Sequence, residues 1–146
     1  MSIWKRFFST EKDHVDYYDE GLELLNAGKY HEALTSFRLA LRDTPFDATV
    51  LQQIAITYTR IGMTDEAIRT YKKALTADAS AAGAHYGMAF LLLREGRAEE
   101  AGQHLRTFLE RPPDGVEAQR HIEHARQTLE AIERGGAGGN AEPKDG

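Results

Sequence analysis

The chain has 146 residues, a net charge of −5, 28% charged residues and no cysteine. Its length suits one domain, the missing cysteine excludes disulfides and cysteine-based zinc sites, and the acidic balance disfavours general nucleic-acid binding. No apolar run approaches the roughly 20 residues that cross a bilayer, and the N-terminus lacks the apolar stretch of a secretory signal. We therefore expect a cytoplasmic protein.

Residues 1–12 form an N-terminal arm that differs from the rest of the chain. The arm carries basic residues and four large apolar side chains at helical spacing: Ile3, Trp4, Phe7 and Phe8. Such side chains need a partner surface, because a cluster of them is unfavourable in water. Three hypotheses follow: the arm docks on its own domain, residues 3–8 rest weakly on a membrane surface, or the arm binds a partner or a second copy of the chain.

Residues 13–134 show the periodicity of seven amphipathic helices. The first ends at Gly28, the second covers Tyr30 to Arg42, and the third begins after Asp47 as N-cap and ends at Gly62. The fourth is predicted over 64–77 and the fifth after Ser80 as N-cap. The sixth is predicted over 98–110 and the seventh over 114–134, with Asp114 as its N-cap and Val116 on its inward face. Residues 135–146, which are rich in glycine, are predicted to be a disordered tail.

A repeat of 34 residues runs through this helical region without an insertion. It aligns three glycines, three glutamates and three alanines: Gly28, Gly62 and Gly96; Glu32, Glu66 and Glu100; Ala33, Ala67 and Ala101. A constant period of this size indicates stacked helical repeats, with boundaries near 14–47, 48–81 and 82–115. The final helix then serves as a cap for the last repeat.

The pattern resembles the tetratricopeptide repeat family over roughly residues 14–134. The resemblance rests on small residues in the first helix of each unit, alanines and aromatic residues in the second, and prolines at the unit ends: Gly21, Ala55, Ala89, Ala33, Ala67, Ala101, Phe37, Tyr71, Ala40, Ala74, Pro45 and Pro113. The third unit departs from it, because Leu105 stands at the aromatic position and Phe108 at a small one. The resemblance implies an all-α, right-handed α-solenoid of three antiparallel helix pairs and a capping helix.

In that family the first helices line a concave groove, which implies the groove residues of this chain. They are Val15, Tyr18, Leu22, Leu25, Asn26, Thr49, Gln52, Ile56, Thr59, Arg60, Gly83, Tyr86, Phe90, Leu93, Arg94, Arg120, His124 and Gln127. Some family members hold the C-terminal carboxylates of heat-shock chaperones in a clamp of lysines and asparagines. The matching positions supply no cation here, so such a clamp is not expected: Tyr18, Leu22, Gln53, Gly83 and Gly87.

No catalytic or metal motif is evident in the sequence. His121 and His124 are three residues apart but lack a third ligand at a fixed spacing, and the other histidines, His85 and His104 among them, are scattered. Phosphate-binding glycine loops and nucleophile elbows are absent as well. We expect no cofactor and no enzyme activity. The predicted function is a protein interaction module that binds a peptide or amphipathic helix, with a membrane-proximal assembly factor and self-association through the arm as alternatives.

Overall fold

The computed structural model describes residues 17–137, and every regular element in that range is an α-helix. The helices are α1 (17–26), α2 (Tyr30–Ala40), α3 (Ala48–Ile61), α4 (Thr64–Ala77), α5 (Ala82–Arg94), α6 (Ala98–Glu110) and α7 (Val116–Ala137). None of the helices in this range is both long and apolar enough to cross a membrane. The prediction of an all-α fold is confirmed. The arm, Val15 and residues 138–146 of the predicted tail lie outside the described residues.

The predicted ends of α3 are confirmed by its capping bonds. The carboxylate of Asp47 accepts hydrogen bonds from the backbone N–H groups of Thr49 at 2.9 Å and Val50 at 3.3 Å. At the other end, Gly62 has a φ of 95° and its N–H donates to the carbonyl of Tyr58 at 3.0 Å. Glycine suits this position because other residues rarely adopt positive φ.

Four predicted helix ends are wrong by a few residues. Helix α2 ends at Ala40, two residues before the predicted end at Arg42. The N-cap position of α5 is Ala81 rather than Ser80, and no side chain caps it. Helix α7 begins at Val116 after Gly115, whose φ is 108°, so Asp114 lies too early to be the N-cap. Helix α7 also continues to Ala137, three residues into the predicted tail, because the hydrogen-bonding pattern of the helix tolerates Gly135.

The chain divides into two compact units with the boundary between Asp78 and Ala79. In the first unit α3 packs against α2 and α4, and in the second unit α6 packs against α5 and α7. The boundary lies close to the predicted start of the third repeat. Each unit has its own buried core.

In the first unit, α1 and α2 approach closely because Gly21 has no side chain. A Cβ atom at Gly21 would lie 2.5 Å from Cε1 of Phe37, and the Phe37 side chain is fully buried. Gly21 and Phe37, two of the positions on which the family resemblance rests, therefore face each other. Leu25 belongs to the same core with only 4% of its surface exposed, so its assignment to the groove is wrong.

In the second unit, the exchanged residues of the third repeat both lie in the core. Leu105 is 0% exposed and Phe108 is 2% exposed. Helix α7 packs closely on α6 at Gly102, where an added Cβ would be 3.6 Å from Cδ1 of Leu129. Val116 is 89% exposed, so its predicted place on the inward face of α7 is wrong. It occupies the first position of the helix, ahead of the turns that contact α6.

Candidate partner-binding site

Tyr86 on α5 is the centre of a cluster of aromatic rings in the second unit. Its ring centroid lies 4.9 Å from Phe90, 5.1 Å from Phe108 on α6, and 4.9 Å and 6.2 Å from His121 and His124 on α7. Phe108 is buried, whereas Tyr86 and Phe90 are half-buried and the two histidines are exposed. We call Tyr86, Phe90, His121 and His124 the α5–α7 aromatic face.

A hydrogen bond and a ring stack hold this face in place. The Tyr86 hydroxyl and Nδ1 of His124 are 2.8 Å apart, and the His124 ring stacks on Phe90 with centroids at 4.7 Å and an interplanar angle of 7°. The Tyr86 hydroxyl donates this hydrogen bond when Nδ1 of His124 carries no hydrogen, and burial raises the pKa of the Tyr86 phenol. Rings fixed in this way lose little conformational entropy when a ligand docks on them.

A second contact between histidines joins α5 to α6. The Nδ1 atoms of His85 and His104 are 3.0 Å apart, and Nε2 of His85 lies 2.8 Å from the carbonyl oxygen of Ala79. Because a carbonyl only accepts, the His85 hydrogen is on Nε2, and a neutral His85 accepts at Nδ1 from His104. In the sequence these two histidines are scattered, and their pairing was not predicted. Their spacing of 19 residues corresponds to no local motif.

The predicted groove residues of the first unit are placed as follows. Tyr18, Leu22, Gln52, Ile56 and Thr59 are half-buried, while Asn26, Thr49 and Arg60 are exposed. The ring of Tyr18 lies 5.9 Å from that of Phe37. Burial raises the pKa of Tyr18, the nearby carboxylates of Asp47 and Asp19 raise it further, and a hydrogen bond with Gln53 opposes them. The half-buried groove positions of this unit carry both polar side chains, Gln52 and Thr59, and apolar ones, whereas the α5–α7 aromatic face consists of rings.

In the second unit the structure brings three of the predicted groove residues into direct contact: Tyr86, Phe90 and His124. Leu93 is half-buried, and Gly83, Arg94, Arg120 and Gln127 are exposed. His121 was not predicted as a groove residue, but its ring meets Tyr86 edge-on. Its position one turn before His124 on the same helix was the signal that could have placed it there. Across residues 17–137, no three metal-ligating side chains converge on one point.

Comparisons with known proteins agree with the helical repeat. Two family models described as tetratricopeptide repeat match residues 18–51 and 62–121 of the chain. Together the matched segments include most of the helices and three residues of the α5–α7 aromatic face, namely Tyr86, Phe90 and His121.

Curated relatives share part of their sequence with the chain. The photosystem I assembly protein Ycf3 of Prochlorococcus marinus (strain MIT 9303) is 38% identical over 90 residues, which are 59% of this chain and 52% of that protein. The protein of the same name from Synechococcus sp. (strain WH7803) is 35% identical over 96 residues, 63% of this chain and 56% of that protein. The chain thus spans about half the length of these relatives.

Solved structures show the same helical arrangement. The type III secretion translocator chaperone SycD of Yersinia enterocolitica superposes with a TM-score of 0.76 at 21% identity, covering 84% of this chain and 93% of that one. SycD in complex with a peptide of the translocator YopD superposes with a TM-score of 0.75 at 22% identity, covering 82% of this chain and 91% of that one. PcrH in complex with the chaperone binding region of PopD superposes with a TM-score of 0.75 at 18% identity, covering 85% of this chain and 93% of that one. At these identities the likeness concerns the fold.

Proposed function

The chain belongs to the tetratricopeptide repeat family, and from this premise we propose that it is a non-enzymatic interaction module whose α5–α7 aromatic face binds a peptide or helix of a partner protein. The observation that carries the proposal is the rigid, half-buried state of Tyr86 and Phe90. Aromatic residues that are held in place yet partly open to solvent are the kind that dominates binding energy at protein interfaces.

The relatives support a protein as the ligand class. Ycf3 is named as an assembly protein, and the SycD and PcrH structures contain segments of YopD and PopD. A helical groove that takes a peptide or amphipathic helix is a recurring mode of recognition, in which apolar anchors supply most of the affinity. The cytoplasmic location stays a prediction.

A second candidate function is that of an assembly factor at a membrane surface. It is favoured by the name of the relatives and by the apolar and basic composition of the arm, in particular Trp4, Phe7 and Phe8 beside Lys5 and Arg6. A single short segment of this kind binds lipid weakly and reversibly. Deleting residues 1–12 should then abolish co-sedimentation with anionic liposomes. A change in oligomer size or a gain in peptide affinity on deletion would instead support self-association or autoinhibition by the arm.

The main experiment compares partner capture by the wild-type chain and by the Tyr86→Ala, Phe90→Ala double variant. Captured proteins from a lysate of the source organism are quantified by mass spectrometry, and circular dichroism checks that helicity is retained. Phe46→Ala is the matched control, because Phe46 is 78% exposed and lies outside the predicted groove. We expect the double variant to lose partner capture by at least about tenfold, since truncated hot-spot aromatics cost more than 1 kcal/mol each. Equal capture by all three proteins would contradict the proposal.

A further inference from the structure

Two arginines border the α5–α7 aromatic face. Arg94 follows Phe90 by one helical turn on α5, and Arg120 precedes His124 by one turn on α7. Both side chains belong to exposed residues. Phe90 stacks on His124, so these two residues lie at the same height along α5 and α7. Tyr86, one turn before Phe90, lies closer to His121, at 4.9 Å, than to His124, at 6.2 Å. Helices α5 and α7 therefore run in the same direction. Along the helix direction, Arg120 therefore lies at the level of Tyr86 on the neighbouring helix, and Arg94 lies one turn beyond Phe90, so the centre of the Tyr86–Phe90 ring pair is between the two arginine levels.

Three other arginines of the same unit form ion pairs with glutamates, unlike Arg94 and Arg120. Arg97 pairs with Glu100 at 2.7 Å, Arg126 with Glu123 at 2.6 Å, and Arg106 with Glu133 at 3.5 Å. Within residues 17–137, neither Arg94 nor Arg120 has a carboxylate oxygen within the 4.0 Å that defines an ion pair. The face thus carries uncompensated positive charge on a chain whose net charge is −5.

Helix dipoles explain some unpaired arginines but not Arg120. Arg111 and Arg134 also lack an ion pair among the described residues, and both stand at the C-terminal ends of helices, where a cation is favourable. Arg94 shares this advantage in the last turn of α5. Arg120 is in the second turn of α7, near the N-terminal end, where the helix dipole does not stabilise a positive charge. Glu117 lies one turn earlier, yet its carboxylate forms no ion pair with Arg120.

We infer that the α5–α7 aromatic face selects a peptide in which a large apolar side chain is flanked on both sides by aspartate or glutamate. This inference rests on the proposed function and names the chemistry of its ligand. The apolar side chain docks on Tyr86 and Phe90, and the two carboxylates meet the guanidinium groups of Arg94 and Arg120. Guanidinium binds carboxylate through paired hydrogen bonds, and charge complementarity sets partner choice and association rate.

The helix geometry also indicates the spacing of the two carboxylates. With a rise of 1.5 Å per residue, Arg120 lies about 6 Å below and Arg94 about 6 Å above the level of the Phe90–His124 stack, a span of roughly 12 Å. An extended peptide advances about 3.3 Å per residue, so it places its carboxylates roughly four residues apart with the apolar anchor between them. A helical peptide needs about eight residues for the same span.

A displayed library of random dodecamer peptides tests the inference. It is selected in parallel against the wild-type chain, the Arg94→Gln, Arg120→Gln variant, and the Arg126→Gln variant. The last is the matched control, because it removes one positive charge from α7 at a residue already paired with Glu123. Circular dichroism confirms that all three proteins are folded. Enriched peptides are then synthesised, and their affinities for these three proteins and for the Tyr86→Ala, Phe90→Ala variant are measured by fluorescence anisotropy at low and high salt.

We expect wild type and Arg126→Gln to enrich acidic residues on both sides of a large apolar residue. The double variant should lose this enrichment and bind the synthesised peptides about 10-fold to 100-fold more weakly, with the difference shrinking at high salt. Binders that depend on Tyr86 and Phe90 but show no acidic enrichment, or that bind the double variant equally well, would overturn the inference and leave the proposed function intact. If no enriched peptide binds more weakly to the Tyr86→Ala, Phe90→Ala variant, the inference and the proposed function are both contradicted.

Discussion

The two units present a tyrosine at the same repeat position but support it differently. Tyr18 and Tyr86 are separated by two repeat lengths. In the first unit Tyr18 lies near Phe37, which fills the space opposite Gly21. In the second unit Leu105 takes the position of Phe37, and the aromatic ring that supports Tyr86 is Phe108, one turn later on the helix. The repeat thus tolerates an exchange of large and small core residues.

The exchange has a consequence for the surface. Phe108 contributes a buried ring beneath Tyr86, and the exposed histidines of α7 complete the cluster above it. The first unit has no comparable group of half-buried rings at its groove positions, where Gln52, Ile56 and Thr59 stand. We propose that core packing rests on the residues that the repeats share, and that partner binding rests on the residues that distinguish the second unit.

The largest expected effect comes from truncating the exchanged core residue. Leu105→Ala should lower the free energy of unfolding by about 3 kcal/mol, because Leu105 is fully buried and truncating its side chain leaves a cavity in the core of the second unit. Urea unfolding followed by circular dichroism measures this change. Val116→Ala is the control and should change stability by less than about 0.5 kcal/mol, since Val116 is almost fully exposed. A loss below about 1 kcal/mol for Leu105→Ala would show that the second core is loosely packed.

The buried Tyr71 should make the stability of the first unit fall at alkaline pH. The second unit has Leu105 at the same repeat position, and leucine does not titrate. Burial raises the pKa of Tyr71 from 10.0 to about 12. Between these values the unfolded chain releases the phenol proton before the folded chain does, so stability is fully present below pH 10 and falls as pH rises through 12. This rise in the pKa of Tyr71 corresponds to roughly 2–3 kcal/mol of the free energy of unfolding.

Urea unfolding of the wild type and of Tyr71→Phe at pH 9 and at pH 11.5 measures this loss. The variant should match the wild type at the lower pH and be more stable at the higher one, because phenylalanine has no proton to release. The contributions of Tyr18 and Tyr86 are common to both proteins and cancel in the comparison. If the two proteins lose stability equally on going to high pH, Tyr71 is not desolvated as described.

A smaller effect tests the close approach of α1 and α2. Gly21→Ala should destabilise the chain by about 2 kcal/mol, because the new Cβ would lie 2.5 Å from the ring of Phe37, which is fully buried. Combining it with Phe37→Leu should recover part of the loss, since leucine is the residue found at the equivalent position of the second unit. Thermal unfolding measures both variants.

Gly135→Ala is the control for Gly21→Ala, because a Cβ at Gly135 meets no atom within 4 Å. It should be neutral or slightly stabilising, as replacing an exposed helical glycine usually is. Equal stability of Gly21→Ala and wild type would mean that α1 and α2 can separate without cost.

Much of this fold could be predicted from the sequence because its signals are local or periodic. The 34-residue period, the glycines with positive φ and the Asp47 cap identified the helices, and the predicted ranges of α4 and α6 agree with the structure. The rotation of each helix about its axis was harder to predict. Leu25 and Tyr18 lie two turns apart on one apolar stripe, yet the first is buried and the second is half-buried. The periodicity of apolar residues predicts that a helix has an apolar stripe, but it does not predict which edge of that stripe faces solvent.

The contacts of the aromatic face depend on packing between helices that are distant in sequence. Tyr86 and His124 are 38 residues apart, and His85 and His104 are 19 apart. The family resemblance implied that Tyr86, Phe90 and His124 share a groove, but no pattern in the sequence showed that their rings touch. The approach of α7 to α6 at Gly102 is likewise a result of packing that no local motif encodes.

The most direct test of the account uses two double variants at equivalent repeat positions. Tyr86→Ala, Phe90→Ala removes the rings of the second unit, and Tyr18→Ala, Leu22→Ala removes their counterparts in the first. The affinity of each variant for a partner captured by the wild-type chain is measured by isothermal titration calorimetry. We predict that the Tyr86 and Phe90 variant binds at least about tenfold more weakly, whereas the Tyr18 and Leu22 variant stays within about threefold of wild type. A loss that is equal in both, or larger in the first unit, would contradict the assignment of binding to the α5–α7 aromatic face.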